Sequence, residues 1–289
     1  MSLFVSAILT AFGTFSALPV PCPGWGEKSL RYSLAALPLV GAAAGLLLFG
    51  WARLCAFLQP GGLVEAAGYC LLPQVFSGGF HLDGFADVSD ARASWAEPAR
   101  RREILKDSHV GAFALIRTLW YTLALFALAT ALRPEPARLA LLALLLVLER
   151  SLGALALVSL PLAAGGGMAR TFADGADRAR VRLLLGLWAF GCLAGLLALG
   201  RFTGLAMALS AALCFWRLAR VSRRDFGGLS GDLAGWFIQR CELWGWAALI
   251  LGQALAAMII FIFIGIIISS LIFSGTVPAL IYYGLQYII

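Results

Sequence analysis

Long apolar runs dominate the chain, and polar residues are confined to the stretches between them. A membrane-crossing helix needs about 20 predominantly apolar residues. Runs of that kind fall at 34–58, 63–79, 112–132, 139–161, 183–199, 204–219 and 243–273. The pattern predicts an all-α integral membrane protein, a polytopic helical bundle with about seven transmembrane helices. An earlier run, Leu3 to Leu18, has no charged segment before it and is followed by Pro19 to Pro23. It reads as part of an N-terminal interfacial or re-entrant segment, residues 1–33, rather than a cleaved signal peptide. No internal repeat or linker divides the chain, so 1–289 reads as a single polytopic domain. Its end differs in texture: residues 258–289 hold eleven isoleucines against five in 1–257, and no charge. Thr276-Val277-Pro278 could break this apolar tail into a span and a short end.

Composition agrees with the pattern. The chain is 61% hydrophobic and 13% charged, where a soluble domain carries roughly 25% charged residues. A net charge of +7 could suggest nucleic acid, but the basic residues lie between apolar runs, where they orient a membrane protein. Placing the loop 77–111 in the cytoplasm puts the N-terminal segment, 162–182 and 217–240 on its side. These hold 16 of the 22 Lys and Arg, against Arg133, Arg138 and Arg201 in the opposite loops. All eight aspartates then share the cytoplasmic side. The six cysteines are scattered without metal-ligand spacing and read as small core residues.

The densest polar stretch is Gly78-Gly-Phe-His81-Leu-Asp83-Gly-Phe-Ala-Asp87-Val-Ser-Asp90-Ala-Arg92. On a helix, Asp83, Asp87 and Asp90 at i, i+4 and i+7 project from one face. Their repulsion costs a few tenths of a kcal/mol per pair, which a hard divalent cation would turn into attraction; oxygen-only ligands favour Mg²⁺ or Mn²⁺. Downstream come Arg100-Arg101-Arg102 and Lys106-Asp107-Ser108-His109-Val110-Gly111. Cations beside acidic ligands suit phosphate oxygens, although the three arginines serve equally well as anchors to lipid headgroups. His81 and His109 flank this loop as hydrogen-bonding groups or a general base. A second polar loop, Arg223-Arg224-Asp225-Phe-Gly227-Gly228-Leu-Ser230-Gly231-Asp232, suits a diphosphate or caps the next helix. The loop with Gly165-Gly166-Gly167 and Arg170 has no function readable by itself. Within the runs, Glu149, Arg150 and Glu242 are ionisable groups at membrane depth. Glu149 and Arg150 could simply pair, but adjacent residues point apart on a helix, so each is expected to meet a partner on another span, and Glu242 to snorkel from a span end.

The stretch Gly-Gly-Phe-His81-Leu-Asp83-Gly-Phe-Ala-Asp87-Val-Ser-Asp90-Ala resembles the signature of cobalamin synthases, the adenosylcobinamide-GDP ribazoletransferases. Lys106-Asp107-Ser108-His-Val-Gly111, the second polar loop and Pro38-Leu-Val-Gly41 are similar to further segments of that family, so the resemblance covers most of residues 1–250. Ser230 stands where threonine is common, Arg92 where glycine is more usual, and the tail has no counterpart. The resemblance implies a transferase of cobalamin biosynthesis in the bacterial cytoplasmic (inner) membrane, multi-pass, with its active site facing the cytoplasm. In that reaction α-ribazole, or its 5′-phosphate, attacks adenosylcobinamide-GDP at the phosphorus joined to the corrinoid and releases GMP. It implies Mg²⁺, with Mn²⁺ an alternative, on Asp83, Asp87 and Asp90. Asp90 or His81 would be the base, and Lys106, Ser108, Arg223, Arg224, Ser230 and Asp232 the substrate and phosphate contacts. Partners would be the two substrates and membrane lipid, with a homo-oligomer or association with other cobalamin-assembly enzymes compatible with the chain, and no nucleic acid. CDP-alcohol phosphotransferases use related chemistry, but their Asp-x-x-Asp-Gly-x-x-Ala-Arg pattern is not reproduced. A secondary transporter would bind substrate near the midplane, away from these loops.

Overall fold

The computed structural model describes residues 2–107 and 109–273, with side chains described as far as 252. The helices, in order, are α1 (Leu3–Phe15), α2 (Glu27–Leu30), α3 (Ser33–Leu58), α4 (Gly62–Phe76), α5 (Phe80–Ala93), α6 (Pro98–Ile104), α7 (Ala112–Thr130), α8 (Pro136–Ser159), α9 (Met168–Gly175), α10 (Arg178–Phe226) and α11 (Gly231–Phe273). Among the described residues the only β pairing is an isolated bridge between Leu162 and Leu229. Residues 1–250 form one compact unit and 251–289 another, whose described backbone is helical. The break proposed at Thr276–Pro278 lies outside the described residues.

Among the described residues, four helices, α3, α7, α8 and α10, are long and apolar enough to cross a membrane. They account for the runs at 34–58, 112–132 and 139–161, and α10 for both 183–199 and 204–219. α10 breaks at Arg201 (φ 47°, ψ −118°). There the chain folds back, so that the Leu196 carbonyl lies directly against Gly204, where no Cβ could fit. α4, at 15 residues, is shorter than a full crossing. The run at 243–273 falls in α11, mostly beyond the described side chains.

α8 is the axis of the unit, and small residues let its neighbours approach. A Cβ at Gly41 of α3 would strike the Leu146 carbonyl, and one at Gly45 would lie 2.6 Å from the Ala143 Cβ. Glycines four apart thus lay one helix backbone on another, the packing available where lipid supplies no hydrophobic drive between helices. Gly195 of α10 packs against Leu144, and Gly245 of α11 against Leu145. Leu142, Leu145, Leu146 and Leu148 are accordingly buried. Large apolar side chains on α7 and α10, such as Leu115, Trp120, Leu209 and Leu213, stay exposed, as lipid-facing surfaces do.

Of the two arrangements open to Glu149 and Arg150, mutual pairing is the one found rather than partners on other spans. Glu149 and Arg150 pair with each other at 2.7 Å, both almost fully buried, because the long guanidinium curls back and also donates to the Leu146 carbonyl (3.1 Å). Glu242 does not snorkel. It is buried and accepts hydrogen bonds from the Tyr121 hydroxyl (3.2 Å) and Gln74 Nε2 (3.3 Å), which join α4, α7 and α11. Five of the six cysteines are buried, Cys22 being exposed.

Candidate active site

α4 ends where Gly78 and Gly79 take positive φ (63° and 75°), a conformation open to glycine at little cost, and the turn starts α5. His81, Gly84, Phe85, Val88 and Ala91 recur at helical spacing and form its buried stripe. The three aspartates stand on the flank of that stripe. α5 then meets the first turns of α11 at backbone range: a Cβ on Gly84 would lie 2.8 Å from both the Asp232 Cα and its carbonyl oxygen, and one on Gly235 3.0 Å from the His81 carbonyl oxygen. This contact brings Asp232, a residue 149 positions from Asp83 in the sequence, into the aspartate cluster. The clustering is felt electrostatically. Burial first, then the charges of Asp83, Asp232 and Asp90, push the Asp87 carboxyl up to about 6. Asp232 is also raised by burial and by Asp83, against a lowering hydrogen bond from Ser230. Asp90 points elsewhere: its carboxylate packs directly onto Gly111, at the start of α7, where a Cβ would overlap it.

Beside this cluster lies a cavity of about 280 Å³. Asp83, Ser230 and Asp232 line it together with Arg102, Lys106, Arg170 and the backbone of Gly165 to Gly167. Two loops are stitched together to make its wall: the Ala163 N–H donates to the Leu229 carbonyl and the Leu229 N–H to the Pro161 carbonyl, each at 2.9 Å. Gly228 permits the stitch, since its Cα lies against the Ala163 backbone with no room for a side chain. Arg170 is held by one bond from Nη2 to the Ala163 carbonyl (2.9 Å) and Arg102 by one from Nη1 to the Phe226 carbonyl (2.9 Å). A guanidinium carries five N–H donors, so each keeps donors free, and Arg170 Nε has no partner among the described residues. Ser230 caps α11 by accepting from the Leu233 N–H (3.3 Å) and donates to Asp232 Oδ2 (3.3 Å).

The other residues singled out from the sequence are dispersed. Arg223 and Arg224 are exposed and do not line the cavity; Arg224 borders a separate groove. Helical periodicity is the reason. Phe226 and Ser222, four apart, occupy the inward face at the end of α10, and residues 223 and 224 turn away from it. His81 is buried against a small apolar cavity with Phe15, Leu37 and Phe172, and among the described residues neither ring nitrogen has a partner. Burial, then the charge of Arg150, lower its pKa to about 3, so the imidazole is neutral. His109 is exposed and lies 2.6 Å from Asp107. Ser108 lies outside the described residues. Sequence reasoning missed the positions of Arg102 and Arg170 in one cavity; the signal available was three consecutive glycines shortly before an arginine, in a loop on the same side as the aspartates. Among the described residues, no three histidine, cysteine or carboxylate groups converge tightly enough to cage a metal ion by themselves.

Comparison with known proteins fixes the relationship. The family model described as cobalamin-5-phosphate synthase matches residues 7–251. The chain belongs to this family. A curated adenosylcobinamide-GDP ribazoletransferase of Lachnoclostridium phytofermentans is 34% identical over 250 residues, 86% of this chain and 95% of that protein. One of Pseudomonas fluorescens is 35% identical over 243 residues (83% and 95%), and one of Clostridium perfringens 27% identical over 245 residues (85% and 97%). No protein of solved structure matches the chain. The cobalamin-5-phosphate synthase match takes in the whole aspartate cluster and every element around the cavity, and it stops within α11, one residue past the end of the first compact unit.

Proposed function

We propose that this enzyme joins α-ribazole, or α-ribazole 5′-phosphate, to adenosylcobinamide-GDP and releases GMP, by a metal-dependent phosphotransfer at the cavity between α5 and α11. The observation that carries the reading is that Asp83 and Asp232 line one cavity together with Arg102, Lys106 and Arg170. A diphosphate ester suits this arrangement: it needs cations on its oxygens and a hard metal between them and the carboxylates.

The donor set fits Mg²⁺ or Mn²⁺. Every candidate ligand is a carboxylate oxygen, and Asp87 is raised by burial first and then by the neighbouring charges of Asp83, Asp232 and Asp90. Magnesium keeps several waters and takes one or two carboxylates plus substrate phosphates, so a site without a closed protein cage suits it. Asp83, Asp87 and Asp232 would hold the ion, with Asp90 at the edge of the cluster. Bound there, the metal would supply charge stabilisation for the diphosphate. Arg102, Lys106 and Arg170 would bind the diphosphate and steady the departing GMP. The backbone N–H groups of Gly165 to Gly167 and the capped start of α11 add dipoles of the same sign. The ribazole hydroxyl must lose a proton as its oxygen bonds to phosphorus; His81 suits that role poorly, and Asp90 would serve only by turning from Gly111 toward the cavity. A neutral imidazole with a pKa of about 3, facing an apolar cavity, is a poor acceptor.

The active site would face the cytoplasm of a bacterial inner-membrane protein with about seven spans, a reading supported by the 16-to-3 division of loop Lys and Arg. Purified enzyme in bilayers, given adenosylcobinamide-GDP, α-ribazole 5′-phosphate and Mg²⁺, should release GMP in step with cobalamin 5′-phosphate, and chelation should stop it. Undiminished release after complete chelation would overturn the metal-dependent mechanism, and absence of the corrinoid product would overturn the reaction.

A further inference from the structure

A second concentration of positive charge lies outside the cavity and has no part in the reaction proposed above. It borders a groove of about 540 Å³ between the α5–α6 connection and the end of α10, lined by Arg92, Arg101, Arg217, Arg220 and Arg224. The groove's two acids, Glu97 and Asp225, do not balance it. Asp225 is already bound by Arg92 (3.0 Å) and Arg101 (3.3 Å), a link that fixes α5 and α6 to the end of α10. Arg217, Arg220 and Arg224 are exposed, and among the described residues none of them is paired with a carboxylate.

These three arginines stand at i, i+3 and i+7, on one face of the second arm of α10. Counting from the break at Arg201, a rise of 1.5 Å per residue puts Arg217 roughly 24 Å and Arg224 roughly 35 Å along the arm. A hydrocarbon core is about 30 Å thick, so in an arm that enters it at the Arg201 break the arginines would straddle the far boundary, at the depth of lipid headgroups. The same face continues below them as an apolar stripe: Leu205, Leu209, Leu213 and Trp216 are 44%, 61%, 62% and 55% exposed. Trp216 carries the Arg220 guanidinium over its ring at 5.6 Å, and Trp95 on the opposite lip is 88% exposed. Tryptophan at this depth is characteristic of the membrane interface.

We propose that the groove binds an anionic phospholipid, its headgroup phosphate held by Arg217 and Arg220 and an acyl chain lying along Leu205, Leu209 and Leu213. Unpaired guanidiniums supply charge and bidentate geometry for a phosphodiester. A soluble nucleotide could use the arginines, but it would leave the adjoining apolar stripe without a role, whereas one phospholipid molecule uses both. Basic pockets between membrane helices take anionic headgroups on the same physical grounds.

The test uses the full-length protein in neutral detergent, with thermal unfolding followed as phosphatidylglycerol, phosphatidylcholine, inorganic phosphate or GDP is titrated. Phosphatidylglycerol should raise the Tm saturably, and phosphatidylcholine and inorganic phosphate should not. In Arg217→Gln/Arg220→Gln the apparent affinity for phosphatidylglycerol should fall about tenfold or more, with the lipid-free Tm unchanged because both side chains are exposed. Should the double variant be poorly folded, Arg220→Gln alone, with retained lipid counted by native mass spectrometry, makes the same comparison. Equal responses to the two lipids, or an undiminished response in the variants, would overturn the proposal. So would a Tm rise with GDP or inorganic phosphate that the variants lose, since the groove would then bind soluble anions.

Discussion

At the cavity, Asp83 and Asp232 share a lining with Arg102, Lys106 and Arg170, whereas inside the bundle Glu149 and Arg150 touch at 2.7 Å, sealed from solvent. Both regions hold opposite charges, and the difference lies in what completes them. The inner charges touch each other and are sealed from solvent, with Glu242 tied to Tyr121 and Gln74 nearby, although Glu149 Oε2, Arg150 Nε and Glu242 Oε1 have no partner among the described residues. The cavity's guanidiniums are each anchored by one nitrogen, and beside its carboxylates Asp87 is raised by burial first and then by the charges of Asp83, Asp232 and Asp90. Charge that a fold keeps apart at a cost to itself is charge reserved for a bound molecule. Charge that it brings into contact at membrane depth serves the bundle.

That comparison can be broken first at the inner pair. Arg150→Met leaves the Glu149 carboxylate without its partner in a sealed site, and removing one member of a buried pair costs about 3–5 kcal/mol. Thermal unfolding in bilayers should show a large loss of stability, with substrate KM unchanged in whatever fraction stays folded. A variant as stable as wild type would show that the pair is not structural.

At the cavity the effects should move from stability to chemistry. Asp83→Asn keeps the shape of the side chain and removes one charge from a half-open site, so the Tm should hold. Turnover should fall on the order of a hundred- to thousandfold, about 2.7–4 kcal/mol, if the charge acts on the developing transition state, and the loss should lie chiefly in kcat. Wild-type turnover with unchanged Mg²⁺ dependence would remove Asp83 from the mechanism. Smaller again, Arg170→Ala should raise KM for the GDP-activated substrate by about tenfold, the worth of a charge-assisted hydrogen bond. Arg223→Ala, whose side chain lies outside the cavity, should leave that KM nearly unchanged. Equal effects from the two would mean that the substrate extends over the outer face of α10.

The smallest effect is one of pH. Asp87 is raised to about 6 from an ordinary carboxylate value near 3.8, so its neutral form favours the metal-free fold. The stabilisation is fully present below the unfolded-state pKa and is lost as pH rises through about 6. In chelator, the Tm should therefore decline between pH 4 and 6 by more than in Asp87→Asn. Mg²⁺ should reverse the decline at pH 7 by binding the carboxylate. A Tm equally sensitive to pH in the variant would assign the slope to other groups.

Much of this protein was legible in the chain. Period and length mark the apolar helices, because lipid leaves no other way to satisfy a backbone, and the break in α10 falls between two runs already separable as 183–199 and 204–219. The spacing of Asp83, Asp87 and Asp90 places them on one flank of α5, and the motif around them points to the cobalamin-5-phosphate synthase family. What the chain could not disclose is which distant groups share a site. Asp232 joins the aspartates because Gly84 has no side chain to keep α11 away; Arg170 enters the cavity beside the bridge between Leu162 and Leu229, and Arg102 is held there by the Phe226 carbonyl at the end of α10. Arg223 and Arg224 leave it because a helix turns 100° per residue, and only the packing of α10 decides which face looks inward. Local spacing determines the direction of a side chain relative to its own helix, and tertiary contact alone determines what that direction faces.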